Sequence, residues 1–124
     1  LLYLYRPDRL REDLSNDDAL SLLRELGYRD LRLDSCLREL RRRLCCDGDF
    51  PHEIGLFLSY PPEDVRGFIS SRGQGSKCLG CWQVYADEER ATALFRAFRA
   101  CTENYCMRHA MGESLSQLAV AKAQ

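Results

Sequence analysis

The chain has 124 residues, 45% of them hydrophobic and 30% charged, with a formal net charge of −1. That is enough chain for one domain with its own core, in a composition typical of globular proteins. The balanced charge provides no overall field for nucleic acid or an anionic membrane, and no apolar run reaches the roughly 20 residues of a membrane span.

In chain order, Leu1–Tyr5 (LLYLY) is a short apolar and aromatic run closed by Arg6 and Pro7, which predicts a strand. Leu10 and Leu14 mark a short helical segment. Ser15 and Asp18 have capping-box spacing and predict the start of a helix with Leu20, Leu22, Leu23 and Leu26 on its apolar stripe. Gly27 ends that helix as a left-handed cap, with Tyr28 folding back on it. A third helix is expected from about Asp34 to Cys46, with Leu33, Leu37, Leu40 and Leu44 on one side. Arg38, Arg41, Arg42 and Arg43 fall mostly on the other, as a solvated basic face.

The stretch FPHEIGLFLSYPPEDVRGFI, within residues 50–70, predicts two short helices joined by a tight turn. Pro51 suits a first helical position, and Ile54, Phe57 and Leu58 form an apolar face. Tyr60 precedes Pro61 and Pro62, which stop the helix. Glu63 and Asp64 then open the next one, where the helix dipole favours carboxylates. Val65, Phe68 and Ile69 are its buried side. SSRGQGSK reads as a loop. Trp82–Ala86 reads as a second strand, paired with Leu1–Tyr5 so that its backbone is not orphaned. Asp87 caps the longest helix, about Glu88 to Met111, which ends at Gly112. A short helical piece follows at Ser114–Leu118, and the tail after it is expected to fray.

The chemistry-bearing residues are few. Seven cysteines, an odd number, in a chain that does not need disulfide staples, favour a reducing, cytoplasmic setting. Cys78 and Cys81 form a Cys-x-x-Cys pair that chelates one metal from a turn or cycles as thiols. Cys101 and Cys106 are the candidates for the other half of a zinc or iron/iron–sulfur site, although their spacing separates them by about 140° around a helix. Buried, unreactive thiols are the plain alternative. His52 and Glu53 evoke a metalloprotease motif, but Leu56 stands where its second histidine belongs. A helix-turn-helix reading of residues 51–70 puts Glu63 and Asp64 against phosphates, which argues against nucleic acid. No glycine-rich phosphate loop and no nucleophilic serine motif is present. His52, Glu53, Tyr60 and Arg66 are the candidate surface for a partner or small ligand.

Together FPHEIGLFLSYPPEDVRGFI, KCLGCWQVYADEE and RACTENYC resemble the bacterial family called domain of unknown function 3793, from LLYLYRP through SLSQLAV. The resemblance brings no established activity, substrate or cofactor, and so no catalytic residues to carry over. It implies an additional N-terminal segment, so that residues 1–124 are one domain lacking that segment and Leu1–Tyr5 lacks sheet neighbours. It also suggests an association with flavodoxin-like or iron-metabolism proteins.

The expected fold is α+β: a small antiparallel sheet, incomplete here, packed with about five or six helices. Its expected core is Leu23, Leu26, Leu37, Leu40, Ile54, Phe57, Leu58, Phe68, Trp82, Leu94, Phe98 and Tyr105. Residues 50–70 are its central helix pair, and residues 78–111 its Cys-x-x-Cys strand and long helix. The expected function is that of an accessory protein of iron or redox metabolism acting through the Cys-x-x-Cys pair. The alternative is a non-catalytic binding module with structural cysteines; a conventional enzyme is the weaker reading.

Overall fold

A computed structural model describes residues 2–120 and divides them into two compact units, residues 5–88 and residues 2–4 with 89–120. The first contains five helices and a two-stranded antiparallel sheet, and the second contains two helices. The class is the expected α+β.

In the larger unit, Pro7 sits at the first helical position of α1 (Pro7–Ser15), which buries Leu10 and Leu14. Helix α2 (Asp17–Glu25) follows after one residue. The capping box expected at Ser15 and Asp18 does not form. Ser15 is still the last residue of α1, its hydroxyl donating to the Glu12 carbonyl. The cap is Asn16, whose side-chain oxygen accepts from the Asp18 and Ala19 N–H groups at 2.9 and 3.4 Å. The helix ends as read. Gly27 has φ 93°, its N–H bonds to the Arg24 carbonyl, and the Tyr28 N–H reaches back to that of Leu23. This is a Schellman closure, and it drops Tyr28 into the core.

Helix α3 (Leu33–Cys45) buries Cys36 and Leu40. The central pair is shorter at its start than predicted. Pro51 precedes the helix, the 51–56 segment turns through i→i+3 bonds, and α4 is the single turn Ile54–Phe57. That changes its buried face to Gly55, Leu56 and Phe57, and leaves Leu58 exposed rather than in the core. Ser59, at φ 64°, reverses the chain, and its hydroxyl bonds to Asp13 on α1. Helix α5 (Pro62–Ser71) then runs from its N1 proline to a left-handed Arg72. Helix α1 packs on α2, α3 and α4, and α5 packs on α2 and α4. Full burial of leucines such as Leu22, Leu23 and Leu56 contributes roughly 1.5–3 kcal/mol each.

The sheet differs from expectation in its partner. Strand β1 (Cys78–Leu79) pairs antiparallel with β2 (Gln83–Val84), Cys78 opposite Val84 and Leu79 opposite Gln83. The expected Trp82–Ala86 strand therefore shrinks to Gln83–Val84. Residues 2–6 form no strand, and Leu2 and Leu4 are exposed; Leu1 lies outside the described residues. A partner across three intervening residues costs far less loop-closure entropy than one across some eighty, and the reversal at Gly80–Trp82 supplies it.

In the smaller unit, α6 (Glu88–Ala110) buries Ala91 and half-buries Leu94, Phe95, Phe98 and Tyr105. Gly112, at φ 101°, closes it, and the Glu113 N–H returns to the Arg108 carbonyl. Helix α7 (Leu115–Val120) starts with a reciprocal box. Ser114 Oγ accepts from the Gln117 N–H, and Gln117 Oε1 accepts from the Ser114 N–H. The tail expected to fray is thus helical through Val120, and its last four residues lie outside the described ones. No helix among the described residues is long and apolar enough to cross a membrane.

Candidate functional site

Proline-led α5 places Asp64 in its first turn, as the sequence predicts, but the carboxylate points inward and is 2% exposed. Oδ2 accepts the Trp82 indole N–H at 2.9 Å. Oδ1 accepts the backbone N–H groups of Tyr85 and Ala86 at 2.9 and 3.1 Å. One side chain therefore clamps the β2 side of the hairpin to α5. Gly67, a turn further along, makes the close approach possible: a Cβ there would lie 2.5 Å from Cβ and Cγ of Tyr85. The charge pattern gave no sign of this clamp. The available signal was Trp82, since a buried indole N–H needs an acceptor.

The clamp leaves a pocket of about 250 Å³ between α4, α5 and the hairpin. Ile54, Gly55, Val65 and Phe68 line it from the helices, and Leu79, Cys81, Trp82 and Gln83 from the hairpin. Tyr60 stacks on Trp82 with ring centroids 4.5 Å apart and planes 29° from parallel. Gly55 admits that ring, because a Cβ would stand 2.9 Å from Tyr60 Cδ2 and 2.8 Å from Val65 Cγ2. His52 lies at the edge, 4.9 Å from the Phe68 ring and 5.3 Å from that of Phe50. Burial, aided by the neighbouring Cys81, pushes the Tyr60 phenol up from its ordinary range, so at neutral pH it is a hydrogen-bond donor. Asp64 also lines the pocket, but both its oxygens are engaged by the clamp. The lining is therefore mostly carbon, with phenol, imidazole, thiol and amide groups at a few points.

A second polar group lies inside the same unit. Glu53 is 4% exposed, and its Oε1 accepts from the Tyr28 hydroxyl and from Arg43 Nη1, both at 3.0 Å. Arg43 also bonds to Glu39 and to the Leu26 carbonyl, and its guanidinium lies 4.3 Å from the Tyr28 ring centre. Burial and the Glu53 charge push the Tyr28 phenol far upward, so it stays a donor. The sequence reading left Arg43 with the solvated arginines. Its spacing from Cys36 and Leu40 already put it on the buried stripe.

Of the predicted surface residues, His52 and Tyr60 share the pocket. Glu53 lies in the buried network, and Arg66 pairs with Glu25 on α2 at 2.7 Å. Among the cysteines, Cys78 is half-buried on β1 and Cys81 exposed at the turn, while Cys101 and Cys106 are exposed on α6 of the other unit. Among the described residues no group of three or more His, Cys, Asp or Glu side chains is placed to hold a metal. Cys36 is buried, which pushes its thiol upward.

Residues 1–119 match the family described as "Protein of unknown function (DUF3793)", and the chain belongs to that family. It is also similar to the Holliday junction branch migration complex subunit RuvA of Oleidesulfovibrio alaskensis, 33% identical over 94 residues. That alignment covers 76% of this chain and 42% of the RuvA subunit, so the chain spans less than half of that relative's length. No solved structure matches the chain.

Proposed function

We propose that the chain is a binding module whose pocket beside the Cys-x-x-Cys hairpin takes a small, planar, largely apolar ligand. The observation that carries this reading is the carbon-lined pocket built around the Tyr60–Trp82 stack. Its volume lies just below the roughly 300–1,000 Å³ of drug-sized sites, which suits one or two fused rings. Aromatic walls favour a flat ring, and the Tyr60 phenol and His52 imidazole supply the few polar contacts that would orient it.

Trp82 is the chain's one tryptophan, so in labelled protein its indole N–H gives a single resonance at the pocket wall. Indole titrated into the reduced protein is expected to shift that resonance saturably. Tyr60→Ala, with its helical content unchanged, is expected to weaken the interaction about tenfold. No saturable shift, or equal affinity in the variant, would sink the reading.

The similarity to RuvA does not bring nucleic-acid binding with it. Asp64, expected to stand against phosphates, is instead buried in the clamp and would not face them; what remains against a groove is that α5 opens on Glu63 and that its Arg66 is ion-paired with Glu25. A metal held by Cys78 and Cys81 is a separate proposal, supported by the two thiols that bracket the hairpin turn. If it holds, protein purified without oxygen carries about one zinc or iron per chain, and Cys78→Ala with Cys81→Ala removes it. Metal-free folded protein would contradict it.

A further inference from the structure

We propose that Cys78 and Cys81 form a reversible disulfide that switches the pocket between a binding and a weakly binding state. This rests on the pocket reading above and assigns its regulation. The two thiols bracket the segment that forms one wall. Cys78 is paired with Val84, Leu79 with Gln83, and the Gly80 N–H donates to the Trp82 carbonyl at 3.0 Å, so the chain reverses at Cys81. Leu79 and Cys81 both line the pocket, whereas Cys78 does not.

The two sides of the hairpin are held unequally. Asp64 fixes Trp82, Tyr85 and Ala86 to α5. The β1 side has its ladder to β2 and the Lys77 bonds to the Val84 and Ala86 carbonyls. A disulfide needs its two Cα atoms within about 7 Å. Cys81 is at the apex and Cys78 lies behind the last ladder pair, so closing the bond folds the tip back on β1. Gly80, free of a Cβ, absorbs that bend. The anchored β2 side stays in place, and Leu79 and Cys81 leave the pocket. The ligand then loses one wall while the Tyr60–Trp82 stack remains.

The oxidant is a small disulfide, RSSR. The exposed Cys81 attacks it as thiolate, forming a mixed disulfide and releasing one RSH. The Cys78 thiolate displaces the second RSH as the intramolecular bond closes. The two protein thiols are oxidised, the donor disulfide is reduced to two thiols, and the two thiol protons leave on them.

The test uses the chain with Cys45, Cys46, Cys101 and Cys106, all exposed, changed to serine, and oxidised glutathione as the oxidant. Mass spectrometry is expected to find a Cys78–Cys81 bond without retained glutathione. Indole affinity, read at the Trp82 indole N–H, is expected to fall about tenfold and to return with dithiothreitol. Cys78→Ser in the otherwise unchanged chain provides a second readout: its glutathione adduct on Cys81 is expected to persist, because the displacing thiol is gone. Persistent adducts with Cys78 present, or a closed disulfide with unchanged indole affinity, would overturn the switch. Failure of the reduced protein to bind indole would overturn the pocket reading and the switch with it.

Discussion

Asp64→Ala is expected to destabilise the protein by about 3–5 kcal/mol. The change removes the acceptor of three hydrogen bonds at once. It strands the buried Trp82 indole N–H and two backbone donors, and each stranded donor costs on the order of 1–3 kcal/mol. Domains of this size are stable by only about 5–15 kcal/mol, so the loss is a large share of the total. Urea unfolding measures it, and the emission of Trp82 locates it. The native-state spectrum is expected to shift to the red as the indole gains solvent, even before global unfolding. Asp64→Asn keeps one oxygen but turns an NH₂ toward the other donors, and is expected to recover less than half of the loss. An unchanged midpoint and spectrum in Asp64→Ala would mean that the hairpin is held by something other than this carboxylate.

The second large effect is at the buried ion pair. Glu53→Ala is expected to cost about 3 kcal/mol, because it removes a buried carboxylate and takes from Arg43 one of its two charge partners. Arg43 keeps its bonds to Glu39 and the Leu26 carbonyl, which holds the figure at the lower end of the roughly 3–5 kcal/mol range. The Tyr28 hydroxyl loses its acceptor as well. Adding Arg43→Met to Glu53→Ala is expected to restore part of the stability, since an apolar side chain over the Tyr28 ring has no charge to compensate. A double-mutant cycle of chemical unfolding measures that coupling. Strict additivity would show that the pair does not act as a unit.

How much of this was legible from the residues depended on the range of the interaction. Proline and glycine signals act locally. Pro62 placed the start of α5, and Gly27 and Gly112 placed the ends of α2 and α6, because glycine takes a φ near +100° without the cost a Cβ would bring. The Ser15 cap failed by one residue, because its hydroxyl remained with the preceding helix. The sheet failed over a longer distance. Leu1–Tyr5 has the composition of a strand, but composition does not say where a partner edge lies, and the nearer Cys78–Leu79 segment is the one paired with Gln83–Val84. In the candidate site, His52 and Tyr60 were singled out for their chemistry and do meet in one pocket. Trp82 was read as core packing and Asp64 as a dipole partner. Their hydrogen bond spans 18 positions and leaves no periodic trace. Glu53, a carboxylate beside His52, reads as part of the candidate surface; its partners Tyr28 and Arg43 come from α2's closing turn and from α3.

The claim that the space beside the hairpin is a ligand site is tested most directly in a crystal. Reduced protein soaked with 4-iodophenol is expected to show an anomalous iodine peak inside the pocket, with the ring against Phe68 and the Tyr60–Trp82 pair and the hydroxyl toward His52 or Tyr60. Iodine found only elsewhere, with this pocket empty at saturating soak, would contradict the account and return Tyr60 and Trp82 to the role of ordinary core.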